Sequence, residues 1–185
     1  MRGGDVNGIR QAAGARELEL PVSAEDRLVA RYAALAIAIH LIEATLPSPL
    51  PGIKPGLANV VVQLVLARHG WRAAAWVAVL RVLVSSLLLG TFLSPTFLLS
   101  AAGAASALLV LAPAHACGRF GPVGLSLLAA QAHMAAQFTL AYTLLIPHAA
   151  LLALLPVLMT AAVVTGLAGG IISEAVQRTA TGPGR

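Results

Sequence analysis

AALLALLPVLMTAAVVTGLAGGII, residues 149–172, contains no charged side chain. An α-helix rising 1.5 Å per residue over such a stretch covers the roughly 30 Å hydrocarbon core of a bilayer. A helix also satisfies its own backbone hydrogen bonds there, which an open strand cannot. Towards the amino terminus, five more apolar segments precede it: Val123–Ile146, Thr96–Leu111, Ala73–Leu89, Leu57–Ala67 and Leu28–Leu46. The reading is an all-α, polytopic membrane protein with a bundle of six transmembrane helices over residues 28–175. It is flanked by a polar tail at 1–27 and a short tail at 176–185.

Composition agrees with this reading. Of 185 residues, 58% are hydrophobic and 10% charged, whereas a soluble domain carries about 25% charge to wet its surface. Ten of the charged residues fall within the first 31 positions. A soluble globular enzyme, a disordered chain and a nucleic-acid binder are therefore excluded, the last because it needs basic side chains gathered on a wetted face. One cysteine, Cys117, excludes an internal disulfide. His115 and Cys117 are too few for a zinc site, so no metal is expected. The single lysine, Lys54, has no Walker A loop around it, so neither ATP nor any other cofactor is expected. The first 26 residues lack the ordered charge, apolar run and cleavage site of a signal peptide.

Segment lengths and loop charges give the topology. The second segment, Leu57–Ala67, is short for a span and reads as a tilted helix or a half-helix supported by neighbours. Lys and Arg collect on the cytoplasmic side of short loops. Six crossings from a cytoplasmic start place Arg27, Arg31, Arg68, Arg72, Arg119, Arg178 and Arg185 inside, with Lys54 outside. Both termini are then cytoplasmic. Small residues recur every fourth position at Ala30, Ala34 and Ala38, and again at Ala162, Gly166 and Gly170. Such stripes let helices approach closely. They serve either as a docking face for another membrane subunit or for packing within the chain.

Ionisable and amide side chains inside spans are costly and mark functional sites by default. Glu43 lies near the outer end of the first helix, with His40 three residues before it. Asn59 and Gln63 share a face of the second segment, below Lys54. Arg81 lies near the middle of the third, one turn from Ser85, and the fifth carries Gln131, His133 and Gln137. A polar chamber open to the outside would use Glu43, Lys54, Asn59, Gln63, Arg81, His133 and Gln137 to bind a small solute. Having Arg81 and Lys54 beside Glu43 fits a zwitterion or a polar heterocycle. The alternative is that Glu43 and Arg81 neutralise each other as a buried pair, a weak source of stability. The proline-rich loop LPSPLPGIKPG, residues 46–56, stops both flanking helices and forms a stiff outer cap or a plain connector.

Two stretches carry a resemblance: LIEATLPSPLPGIKPGLANVVVQLVLARHGW at 41–71 and RVLVSSLLLGTFLSPTFLLSAAGAASALLVL at 81–111. With their PxPGIKxGLAN and RV…GTF.SP motifs, they resemble the bacterial membrane family called heptaprenyl diphosphate synthase component I, or Gx transporters. Pro55 stands where members carry Leu. That family is similar to the substrate-binding S components of energy-coupling-factor transporters. The resemblance implies a six-helix fold in the bacterial cytoplasmic membrane, capturing a small polar solute from outside and working with a transmembrane T subunit and ATPase subunits. It also implies that Ala34 and Ala38 dock the T subunit. The family label implies an alternative, a non-catalytic membrane subunit serving a soluble prenyl synthase. The chain itself has only Asp5 and Asp26, both in the polar tail. It lacks the aspartate clusters that clamp Mg²⁺ in such synthases, so no catalytic residue is expected.

Overall fold

A computed structural model describes residues 22–46 and 56–181. Most of the polar tail, the loop at 47–55 with Lys54, and residues 182–185 lie outside the described residues. The described chain is all α-helical: α1 (Ala24–Thr45), α2 (Leu57–Leu88), α3 (Pro95–Ala116), α4 (Pro122–Leu140) and α5 (Leu155–Thr181). A π-helical turn, Ala141–Leu145, extends α4, and a 3₁₀ turn, Ala149–Leu154, leads into α5.

Local chemistry sets the helix starts. Ser23 and Asp26 form a reciprocal capping box, with Asp26 N donating to Ser23 Oγ at 3.0 Å and Ser23 N donating to Asp26 Oδ2 at 2.9 Å. Ser94 caps α3 ahead of Pro95, and Pro122 opens α4; proline is tolerated there because the first turn leaves N–H groups without internal partners. At α5, Pro156 has no N–H and its ring would strike the carbonyl four residues back. The stretch from Ala149 is therefore not one α-helix with the rest, as the apolar run 149–172 suggests, but a 3₁₀ turn followed by α5. α3 runs on through Pro113, which places His115 in its last turn and Cys117 at its cap rather than in a loop.

The second and third expected segments follow each other without a loop, as two helices taken together as α2 and joined across a kink at Gly70. There φ is 81° and ψ is −178°. A straight helix of 32 residues would be about 48 Å long. Yet Gly56 and Leu89, at its two ends, both line one cavity of about 530 Å³. The chain therefore doubles back at Gly70, and α2 comprises two arms, 57–69 and 71–88, that share an open end. The opposite end lies beside the start of α1, where Arg27, Arg31, Tyr32 and His69 surround a second cavity of about 430 Å³. There the Tyr32 and His69 rings lie 5.5 Å apart.

The core is built largely from the two arms of α2: Val61, Val62, Val65 and Leu66 from the first, and Ala73, Ala74, Val77 and Ala78 from the second. Ala36 of α1, Leu108 of α3 and Ala129 of α4 close around them. Small side chains dominate, as expected where close backbone approach and van der Waals contact hold helices together. α5 lies on α4 in this way. A Cβ added at Gly170 would come within 2.6 Å of Val123 Cα, and one at Gly166 within 3.1 Å of Leu127 Cα. The Ala162, Gly166 and Gly170 stripe thus serves packing within the chain. Gln131 Nε2 donates to Met159 O at 3.2 Å and Ser106 Oγ to Ala132 O at 3.0 Å, tying α4 to its two neighbours.

Large apolar side chains face outward, Leu109 and Leu144 at 71% exposure and Trp76 at 58%. An apolar exterior of this kind suits lipid, not water. By length and composition, α1, α2, α3 and the run Ala149–Thr179 can each cross a membrane. The protein is a multi-pass membrane helical bundle.

The reversal yields a stability test. The backbone at Gly70 lies in a region open essentially to glycine alone, which costs other residues about 1–3 kcal/mol, and a Cβ there meets nothing within 4 Å. Gly70→Ala should lower the stability of the detergent-purified protein by that amount, read from its unfolding transition, with no steric contribution.

Candidate functional site

The open end of the bundle holds the cavity of about 530 Å³. Its first wall is set by a backbone problem. Gly56 stands at the N-cap of α2, with a left-handed φ of 72° and no side chain to cap the helix. Glu43, 4% exposed near the end of α1, supplies the missing acceptor: Leu57 N donates to Glu43 Oε1 at 2.5 Å. This bond clamps α1 to the start of α2 and places Asn59, two residues further on, at the cavity.

The opposing wall comes from the returning arm of α2 and from α3, α4 and α5. Arg81 is 6% exposed, and its Nε has no hydrogen-bond partner among the described residues. Ser86 follows it along the arm, Thr96 and Ser100 face in from α3, and His133 and Gln137 from α4. His133 Nδ1 is likewise buried without a partner. The imidazole lies against Gly103 of α3, so closely that an added Cβ would come within 2.6 Å of the ring. Apolar side chains, among them Val82, Phe97, Leu99 and Met134, complete the lining. A few convergent polar groups among apolar walls, in a volume of several hundred Å³, is the usual make-up of a small-molecule site.

Five of the seven side chains singled out from the sequence thus border one cavity: Glu43, Asn59, Arg81, His133 and Gln137. Gln63 does not. It is 7% exposed within the helix packing, and its Oε1 has no partner among the described residues; one helical turn carries it from the rim into the core. Lys54 lies outside the described residues, as does most of the proline-rich loop. The buried-pair alternative also changes form. Glu43 acts on the Arg81 guanidinium through space, but among the described residues the two make no ion pair within 4 Å. The hydroxyls of Ser86, Thr91, Thr96, Ser100 and Thr165 line the cavity too and were not legible as site residues. Serine and threonine are common in membrane helices, where they bond to their own backbone, as Thr165 does to Ala161 O at 3.0 Å. Only the spacing of Thr96 and Ser100, four residues apart on α3, hinted at a shared face.

Ala34 and Ala38 are exposed on α1, in line with Ala30. Among the described residues their stripe is left open on the outside of the bundle, whereas the corresponding stripe of α5 is covered by α4.

The Gly103 contact gives a test of the cavity wall. Gly103→Ala should push the His133 ring out of its seat while leaving the helices in place. Far-ultraviolet circular dichroism should then be unchanged, and the His133 ring proton resonances in detergent-solubilised protein should shift.

A protein-family model described as heptaprenyl diphosphate synthase component I matches residues 32–176, from the first turns of α1 to near the end of α5. No curated protein and no solved structure matches the chain. The match takes in every cavity-lining helix, and the chain belongs to the heptaprenyl diphosphate synthase component I family.

Proposed function

We propose that the chain is a non-catalytic membrane subunit of prenyl diphosphate synthesis, and that its cavity receives a small polar ligand. The family match over 32–176 is the observation that supports the first part. Ionising an allylic diphosphate needs Mg²⁺ clamped by acidic clusters. The chain's two aspartates, Asp5 and Asp26, both stand at or before the first turn of α1. The metal-binding aspartates therefore belong to a soluble partner, and this chain supplies the membrane seat.

Six crossings with cytoplasmic termini accompany this reading, the two arms of α2 counting separately. The reversal between Arg68 and Arg72 sits beside Arg27 and Arg31, a basic cluster at one end of the bundle that the positive-inside rule assigns to the cytoplasm. The cavity then opens toward the outer half.

A second reading, the substrate-binding component of a transporter energised by a T subunit and ATPases, is favoured by a different observation. Several polar side chains converge on the cavity among its apolar walls, and the Ala30, Ala34 and Ala38 stripe is exposed among the described residues.

Purification of the full chain from its own membrane in mild detergent separates the two. Co-purification of an Asp-rich soluble synthase supports the first reading; a T subunit with an ATPase pair replaces it with the second. In the second case, leucines at both Ala34 and Ala38 should abolish recovery of the T subunit without altering the unfolding transition. In either case Asn59→Ala and Arg81→Ala should each weaken retention of the cavity's ligand by about 10-fold or more, as expected when a buried polar group loses its partner. Unchanged retention in both, at normal membrane abundance, would remove the cavity from the function.

A further inference from the structure

A buried guanidinium needs acceptors or a counter-charge, because withdrawing it from water without them is strongly unfavourable. Arg81 is 94% buried by its 6% exposure, it borders the cavity, and its Nε is unpartnered among the described residues. Between Arg27 and Ser173 the sequence holds a single acidic residue, Glu43. One oxygen of that carboxylate is engaged elsewhere, and its charge reaches Arg81 only through space. It accepts from Leu57 N where Gly56 leaves α2 without a side-chain cap, and it forms no ion pair within 4 Å with Arg81. A negative charge at a helix amino end is held by the unpaired N–H groups and the positive end of the helix dipole. The other ionisable groups facing the cavity, His40 and His133, bring no negative charge, and Asn59 and Gln137 offer neutral amides.

We infer that the ligand of this cavity carries an anionic group, a carboxylate or a phosphate ester, that seats on Arg81, and that Glu43 caps α2 rather than receiving an amine. This rests on the reading of the cavity as a ligand site and narrows its ligand from a zwitterion or heterocycle to an acid. The planar guanidinium fork suits two oxygens of one anion. The apolar side chains around it suit whatever less polar body the anion carries.

The test uses the full chain in mild detergent, with inorganic phosphate, inorganic diphosphate and succinate as anionic probes and ethylammonium as the cationic one. Thermal unfolding and native mass spectrometry are the readouts. The wild type and Glu43→Gln, whose amide oxygen can still accept from Leu57 N, should both be stabilised by at least one anionic probe and not by ethylammonium. Glu43→Ala, which removes the acceptor, should lose that response. Arg81→Gln should bind the same probe at least about 30-fold more weakly, and Arg81→Lys, which keeps the charge without the fork, should fall between. Stabilisation of the wild type by ethylammonium and its loss in Glu43→Gln would overturn the anion seat and leave the cavity a ligand site. A retained molecule that is neutral or cationic would do the same. No response to any probe, together with no retained molecule, would overturn the cavity reading itself. Should Arg81→Gln not fold, the comparison of probes on the wild type and Glu43→Gln decides alone.

Discussion

Everything at the open end of this bundle depends on one backbone reversal. At Gly70 the chain takes a conformation that glycine alone adopts without strain, and the helix that would otherwise run straight for 32 residues folds back along itself. Asn59 and Arg81 are 22 positions apart in sequence and would be about 33 Å apart on an unbroken helix. The reversal puts them on one cavity. It also gives the bundle its central double arm, against which the core side chains of α1, α3 and α4 pack.

The second constraint is the satisfaction of polar groups in a medium without water. Gly56 leaves the start of α2 short of an acceptor, and Glu43, the single acidic residue between Arg27 and Ser173, supplies it. This separates two residues that by charge alone make a natural pair. Read from composition, Glu43 and Arg81 are opposite charges at similar depth, and their mutual neutralisation is the economical assumption. The geometry gives Glu43 to a backbone N–H and leaves Arg81 facing the cavity.

The helical membrane class was fully legible in the sequence, because apolar length and the crowding of charge into the first 31 residues are properties of composition that tertiary structure does not alter. The convergence of Glu43, Asn59, Arg81, His133 and Gln137 was legible too, since spacing along known helices fixes depth and approximate direction. Gln63 was misplaced for a physical reason: a residue four positions from Asn59 shares its face but lies a turn deeper, where the same face meets core rather than cavity. The break between the second and third segments was legible, but not its form: Arg68 to Arg72 look like a loop, while the chain passes through them with helical geometry on both sides of one glycine. The two small-residue stripes were indistinguishable as patterns. Only the positions of neighbouring backbones, Val123 and Leu127 against Gly170 and Gly166, show which one is covered.

Those close contacts also divide the molecule mechanically. α4 and α5 touch backbone to backbone through Gly166 and Gly170, and α3 is tied to α4 by the Ser106 bond, while α1 is clamped to α2 through Glu43. The cavity lies along the seam between these two groups of helices, lined from one side by Glu43, Asn59 and Arg81 and from the other by Ser100, His133 and Gln137. The chamber is therefore bounded jointly by both groups, and no single helix encloses it.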